Sequence, residues 1–294
     1  MTDWKNQFDS VTGIDRSSRF DSYKATKNGA KYFVKQVNEE TDEWSRGSID
    51  KEKEVYDSLD IKDYQIPSVH TYEPSNLLCV EWIDSYPWRN LHEDEKIENL
   101  VTDLADLVES LSRHGDLNLS TRWPNTDEFH HRLDATVSFN ESGLQDLKPV
   151  ISQSKEELLS MTVPDEDKSL VHGDLFYPNI LFGSDGGVKS VIDWEIAGYF
   201  DQMYDVGFIE SNVLDVASLY DNTFSRSEIL SMFRDELNLT STQVKRVKLY
   251  KIWPHYVKLA SIDIDLYNPN YYPDSINPEE EVREWFDSCV KDCI

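Results

Sequence analysis

The segment RFDSYKATKNGAKYFVKQV, residues 19–37, alternates in side-chain character around a central Asn28-Gly29. Both central residues tolerate positive φ, so the pattern predicts two antiparallel strands joined by a tight turn. In RGSIDKEKEVYDSLD, residues 46–60, the spacing changes: Ile49, Glu52, Val55, Tyr56 and Leu59 recur every three or four positions. That predicts a helix with Ser48 as its cap. SVHTYEP and NLLCVEWID follow Pro67 and read as two short strands parted by a turn near Pro74. The expected N-terminal unit is therefore an antiparallel sheet of about five strands with one helix.

Longer helical patterns then take over. HEDEKIENLVTDLADLVESLSRHG carries Ile97, Leu100, Val101, Leu104, Leu107, Val108 and Leu111 as one apolar stripe and stops near Gly115. Residues 121–168 read as helical pieces with loops at RWPNTDEF and VPDEDK. A hairpin-like GSDGG precedes a short strand and turn in VKSVIDWEIAGY, and helices return from residue 203. The break between the two regions falls at residues 82–88, which divides the chain into units 1–83 and 84–294.

Composition narrows the function. The 294 residues are 39% hydrophobic and 12% aromatic, enough for a sizeable core without disulfide support. With 56 acidic against 29 basic residues, the net charge of −27 repels nucleic acid and anionic membranes. The acids are spread through NEETDEW, HEDEK, PDED and PEEEVREW, as expected of a solvated acidic surface in a salt-rich, halophilic cytoplasm. Loss of circular dichroism on dilution into low salt is the expected consequence. The three cysteines, Cys79, Cys289 and Cys293, form no CxxC pair and suit a reducing compartment, with the last two a helical turn apart. No apolar run reaches membrane-spanning length, so a cytoplasmic protein is expected. Nothing in the sequence sets an oligomeric state.

The candidate chemistry lies in LVHGDLFYPNILF, residues 170–182, spaced as H-x-D-x-x-x-x-N. In phosphoryl transfer an aspartate can take a hydroxyl proton while an amide oxygen in the same rigid loop helps hold a metal. Asp174 and Asn179 have those chemistries, and Pro178 stiffens the loop between them. Asp193 in VIDWE follows fourteen residues after Asn179 and offers a second hard oxygen ligand of the kind Mg²⁺ prefers. Upstream, Lys35 sits in the strand KYFVKQV, and Glu52 on the next helix can pair with it, with Glu54 as the substitute if the helix is rotated. Singly each of these residues has an ordinary structural use; their order and spacing together point to a kinase.

FVKQV, KEKEVYDSL, LCVEWID, LVHGDLFYPNILF and VIDWEIAGYFDQMYDVGFIE together resemble the aminoglycoside phosphotransferase and choline kinase-like family. The resemblance implies an α+β, two-lobed protein kinase-like fold, with a small antiparallel-sheet N-lobe carrying one helix and a larger, mainly helical C-lobe. ATP, or another nucleoside triphosphate, and Mg²⁺ are expected between the lobes. Asp174 then looks like the catalytic base, Asn179 and Asp193 like metal ligands, Lys35 like the phosphate-binding lysine and Glu52 like its partner. Cys79 to Asp84 resembles the hinge that meets the base, with Glu81 and Ile83 among its backbone contacts. His172 and Asp205 resemble groups that support the loop.

This chain departs from the family pattern at TGIDRSSRFDSY, which has one glycine, so the backbone amides of Ser17 and Ser18 are expected to cradle phosphate. DWE stands where protein kinases have DFG, and no APE follows, which favours a small-molecule hydroxyl acceptor over a protein. For that acceptor, Glu195, Glu210, Trp253, His255, Tyr256 and LYNPNYYPDS offer aromatic faces and carboxylates suited to a cation or sugar. Trp253 and Tyr256 also fit a helical core, and Asp263 and Asp265 an acidic surface. Rival readings are a nucleotide-binding pseudokinase and a protein kinase.

Overall fold

A computed structural model describes residues 4–16, 20–38, 43–59, 64–72, 77–86, 96–115, 146–221, 223–262, 272–273 and 275–293, with Leu117 and Leu144. β1 (Ser10–Arg16), β2 (Phe20–Lys27), β3 (Ala30–Val37) and β4 (Leu77–Glu81) form one antiparallel sheet in the order 1-2-3-4. Asn28 and Gly29 adopt φ of 52° and 81° at the β2–β3 turn, the left-handed pair that the hairpin needs. Among the described residues the sheet has four strands rather than five. Among its described residues SVHTYEP contributes an isolated bridge, Val69 to Val80, flanked by the backbone bonds His70 N–H to Cys79 O at 2.8 Å and Glu81 N–H to Ser68 O at 3.0 Å.

Helix α1 (Glu43–Ser58) starts before Ser48, which lies buried within the helix instead of capping it. Its face of Ile49, Glu52, Val55 and Tyr56 is buried, with Val55 fully so, and the helix packs on β3 and β4. Among the described residues the longer helices that follow are α2 (Lys96–Ser112), α3 (Lys148–Ser160), α4 (Met203–Ile209), α5 (Arg226–Glu236), α6 (Ser241–Ile262) and α7 (Pro278–Cys293). Every member of the predicted α2 stripe is at most 6% exposed, and the helix ends three residues before Gly115. Residues 121–143, read as helix and loop, lie outside the described residues.

Two small antiparallel ladders connect these helices to the sheet. β5 (Lys168–Val171) pairs with β8 (Gly198–Asp201), and β6 (Ile180–Phe182) with β7 (Val188–Val191) through the GSDGG turn. The stretch LVHGDLFYPNILF is thus a loop held at both ends by strands, with Leu170, Val171, Ile180 and Phe182 buried. No described helix is long and apolar enough to cross a membrane.

A π-helical turn, Glu210–Leu214, continues α4 toward Asp215–Ala217. The wider turn breaks the α-helical hydrogen-bond pattern, and two carbonyls there are met from outside. Tyr177 Oη donates to Val213 O at 2.8 Å, and Lys258 Nζ donates to Ser211 O. One of these bonds ties the 170–182 loop to the helical body. Around the same turn, Glu210 takes two bonds of 2.6 Å from Arg234 and one of 3.0 Å from Lys251. Asp215 takes Arg226 in a two-bond fork of 2.8 and 3.1 Å. Both carboxylates are fully buried, so these charges stand only because they are paired.

Candidate active site

β3 is a central strand, paired with β2 and β4, and Lys35 faces Ser22 on one neighbour and Leu78 on the other. Its side chain is 7% exposed, and its ammonium meets three carboxylates: Glu52 at 3.1 Å, Asp193 at 2.7 Å and Glu195 at 3.2 Å. Burial opposes the charge on Lys35, but the three carboxylates outweigh it and hold the ammonium well above the usual lysine range. Burial pushes the Glu52 carboxyl up to about 7 against the pull of Lys35, and the nearby charges of Asp193 and Glu195 add to the rise. Glu52 is the helix residue that turns to Lys35; Glu54 is half-buried.

The loop that carries Asp174 is braced from below. Asp205, in the first turn of α4, accepts the backbone N–H groups of His172 at 2.6 Å and Gly173 at 2.8 Å. Burial raises the Asp205 carboxyl to about 7 in spite of those donors. Gly173 has φ of +85°, and a Cβ there would meet Ile196 at 3.2 Å, so the turn excludes larger residues. His172 is fully buried beside the ring of Trp194; its Nε2 lies 2.9 Å from Ile192 O, and its Nδ1 accepts the Asp174 N–H at 3.2 Å. This is the bonding of a neutral imidazole with its proton on Nε2. Asn179 donates its amide N–H to Asp174 O at 2.9 Å and to Asp174 Oδ2 at 3.2 Å. That arrangement orients the Asp174 carboxylate.

Burial lowers the His172 pKa from 6.5 to about 4. The unfolded chain therefore takes up this proton first as the pH falls, and the contribution of His172 to stability is lost between pH 6.5 and about 4. That loss amounts to roughly 3 kcal/mol. The raised carboxyls of Glu52 and Asp205 act in the opposite sense, losing stability as pH rises toward 7. Urea unfolding of the wild type beside His172→Asn cancels their effect: the variant keeps an acceptor near Nδ1 and cannot titrate. The stability of the wild type relative to the variant is expected to fall by that amount over this window.

A cavity of about 320 Å³ opens between sheet and loop, in the size range of small-molecule sites. Phe33, Val80, Ile83 and Leu181 give it apolar walls, and Lys35, Glu52, Asn179 and Asp193 line its polar end. Glu81 and Ile83 line it where the hinge was expected. Ser17 and Ser18 lie outside the described residues. Asn179 and Asp193 present hard oxygens to one space, and the backbone N–H of Ile192 donates to Asn179 O at 2.9 Å, tying the two loops together. Among the described residues no cluster of three or more His, Cys, Asp or Glu could alone hold a metal. This donor set fits Mg²⁺, which commonly uses one or two protein oxygens and completes its shell with substrate phosphates and water.

The structure redistributes the residues expected at the acceptor. Glu195 is buried beside Lys35, whose ammonium it meets at 3.2 Å. Glu210 is wholly buried in its ion pairs, and Tyr256 and His255 are at most 1% exposed, so none of the three has a face for a ligand. Trp253 is half-buried with its ring 5.8 Å from that of Phe208. Most of LYNPNYYPDS, with Asp263 and Asp265, lies outside the described residues. Among the cavity residues not singled out from the sequence as chemistry, two bear on the site. Phe33 turns its ring into the cavity two positions before Lys35, and Tyr56, read as an apolar helix position, presents its hydroxyl to Asp193. The spacing of Tyr56 four residues after Glu52, on the same helix face, was the available signal.

A four-stranded sheet with one helix, set over a helical body with a braced HGD loop, defines a protein kinase-like fold. The chain belongs to the phosphotransferase enzyme family, whose model matches residues 10–229. Among curated proteins it is similar to ethanolamine kinase 2 of Rattus norvegicus, 24% identical over 177 residues. That match covers 56% of this chain and 43% of the relative, so it spans less than half of the relative's length. Among solved structures it is similar to the streptomycin–ATP ternary complex of APH(2")-IIa, with a TM-score of 0.62 and 17% identity over 86% of this chain and 85% of the other. It is also similar to the GDP complex of aminoglycoside 2'-phosphotransferase-IIIa, with a TM-score of 0.66 and 13% identity over 98% of this chain and 96% of the other. At these identities the structures speak to the fold.

Proposed function

We propose that this protein transfers the γ-phosphoryl group of ATP, or of another nucleoside triphosphate, to a hydroxyl group of a small molecule. The observation that carries the reading is the meeting of Lys35 with Asp193, 158 residues further on, at 2.7 Å in a cavity that Asn179 also lines. Residues 1–83 supply the nucleotide-facing walls and Lys35; residues 84–294 supply the catalytic loop and the acceptor site. Phe33, Val80 and Ile83 cover the base, and the hinge backbone from Glu81 to Ile83 meets its edge. Lys35, held charged by its carboxylates, neutralises phosphate, and Glu52 keeps it aimed.

Asn179 and Asp193 would hold Mg²⁺, whose chemistry there would be to offset phosphate charge. Asp174 orients the acceptor hydroxyl and takes its proton as the oxygen bonds to phosphorus and the bond to the nucleoside diphosphate breaks. His172 and Asp205 act through the backbone, holding the loop in place. Segment Trp194 to Gly198 is buried immediately after Asp193, which leaves no extended surface there for a protein acceptor and supports a small one.

The relatives act on, or are bound to, compounds that carry both hydroxyl and amino groups, as the names ethanolamine kinase and streptomycin state. The acceptor classes to test are therefore amino alcohols, aminoglycosides and sugars. An ATP-consumption screen against these, run at high salt because of the −27 charge, is expected to give turnover with at least one class. A second reading, a nucleotide-binding module without turnover, is favoured by the phosphate-loop stretch having Gly13 as its single glycine. Nucleotide binding without turnover across the whole panel would select it.

A further inference from the structure

Asp193 is held in an uncommon conformation. Its φ is +67°, in the left-handed region that residues other than glycine seldom adopt. Such a backbone persists when its surroundings over-determine it, and here two groups from outside its own loop do so. Lys35 Nζ meets its carboxylate at 2.7 Å, and its backbone N–H donates to Tyr56 Oη at 3.2 Å. The Tyr56 hydroxyl donates a hydrogen bond to Glu52 Oε1 at 3.3 Å, and Glu52 Oε2 accepts one from Lys35 Nζ at 3.1 Å. The four residues close a ring: Lys35, Glu52, Tyr56 and Asp193 each touch the next.

We propose that the Tyr56 hydroxyl is a positioning group that locks the backbone of Asp193 to helix α1 through Glu52, so that metal-dependent nucleotide binding depends on it. The inference rests on the phosphotransferase reading above. One hydroxyl has one proton to give and lone pairs to accept, and both functions are used. Tyr56 is 5% exposed, so water does not readily replace it if the oxygen is removed. The Asp193 N–H would then be left unpaired in a strained turn, and the carboxylate would lose its fixed direction toward the cavity. The pairing of Lys35 with Glu52 and the placement of Asp193 thus become one event, set by where α1 sits.

A packing role for the ring alone makes a different forecast, because Tyr56→Phe keeps the ring. Calorimetric binding of a non-hydrolysable ATP analogue, with and without Mg²⁺, separates the two. Tyr56→Phe is expected to bind the metal-free analogue as the wild type does and to need about 10-fold more Mg²⁺ for half-maximal tightening, as for other groups that orient a metal ligand. Turnover should fall with the acceptor KM unchanged. Wild-type Mg²⁺ dependence in a folded Tyr56→Phe overturns the proposal and leaves the phosphotransferase reading standing. A wild type that binds no nucleotide overturns both.

A measurement on the wild type alone guards against a variant that does not fold. The Asp193 side chain is 37% exposed, yet the amide should be protected from hydrogen exchange, to be read by NMR. Free exchange at that amide overturns the proposal without any substitution.

Discussion

Asp174→Asn is expected to fold, to bind nucleotide as the wild type does, and to lose turnover by about 10²- to 10⁴-fold, the usual weight of a positioned general base. The replacement keeps the size of the side chain and an oxygen where Asn179 Nδ2 now donates at 3.2 Å, so the loop keeps its shape. Its brace is also untouched, since Asp205 holds the backbone of His172 and Gly173 and not the Asp174 side chain. Asp174 does not line the cavity proposed to take the nucleotide. What the amide lacks is the ability to take a proton from the acceptor. Calorimetry with the ATP analogue and a turnover assay check the two halves of this result. Turnover within tenfold of the wild type would remove Asp174 from the role of base.

The largest effect on stability is expected outside that loop, at Asp215. Its carboxylate is fully buried, receives Arg226 in a fork of 2.8 and 3.1 Å, and lies 3.3 Å from Lys251 and 3.2 Å from His255 Nε2. Burial alone would raise its pKa, but Lys251 and Arg226 hold it well below the carboxylate range. Asp215→Ala leaves Lys251, itself 1% exposed, with Glu210 as its remaining carboxylate, already shared with Arg234. Removing one member of a buried pair costs about 3–5 kcal/mol, because the partner charge stays desolvated. Urea unfolding should show that loss. As a comparison, Asp165→Ala breaks the ion pair with Lys168 where the aspartate side chain is 94% exposed, and solvent there already screens the charges. Its unfolding midpoint should not move measurably, and an equal loss in both variants would count against the burial explanation.

Much of the site could be read from short stretches of chain. The spacing of His172, Asp174 and Asn179 encodes one loop, and a loop is a local object: its chemistry and its turn residues lie within ten positions. Glu52 was legible through helical periodicity, which puts it on the face shared with Ile49 and Val55. Lys35 was legible as a charge in a strand of apolar neighbours. The surroundings of the residues expected at the acceptor were not, and the reason is physical. In a chain with 56 acidic residues, a carboxylate such as Glu210 carries no mark of its environment; only helix packing brings Arg234 and Lys251 to it and closes it off from solvent. Glu195 shows the same limit. Its place beside Lys35 depends on a turn after Asp193 whose direction no local pattern encodes.

The sequence by itself determined the hairpin at Asn28-Gly29, the helix face of α1, the α2 stripe and the HGD loop, because periodicity and turn chemistry act between residues close along the chain. Tertiary structure decided the rest: the ring of Lys35, Glu52, Tyr56 and Asp193, the left-handed turn at Asp193, and the paired charges at Glu210 and Asp215. Those depend on which polar groups lose water together, and desolvation is a property of the packed molecule rather than of any segment of it.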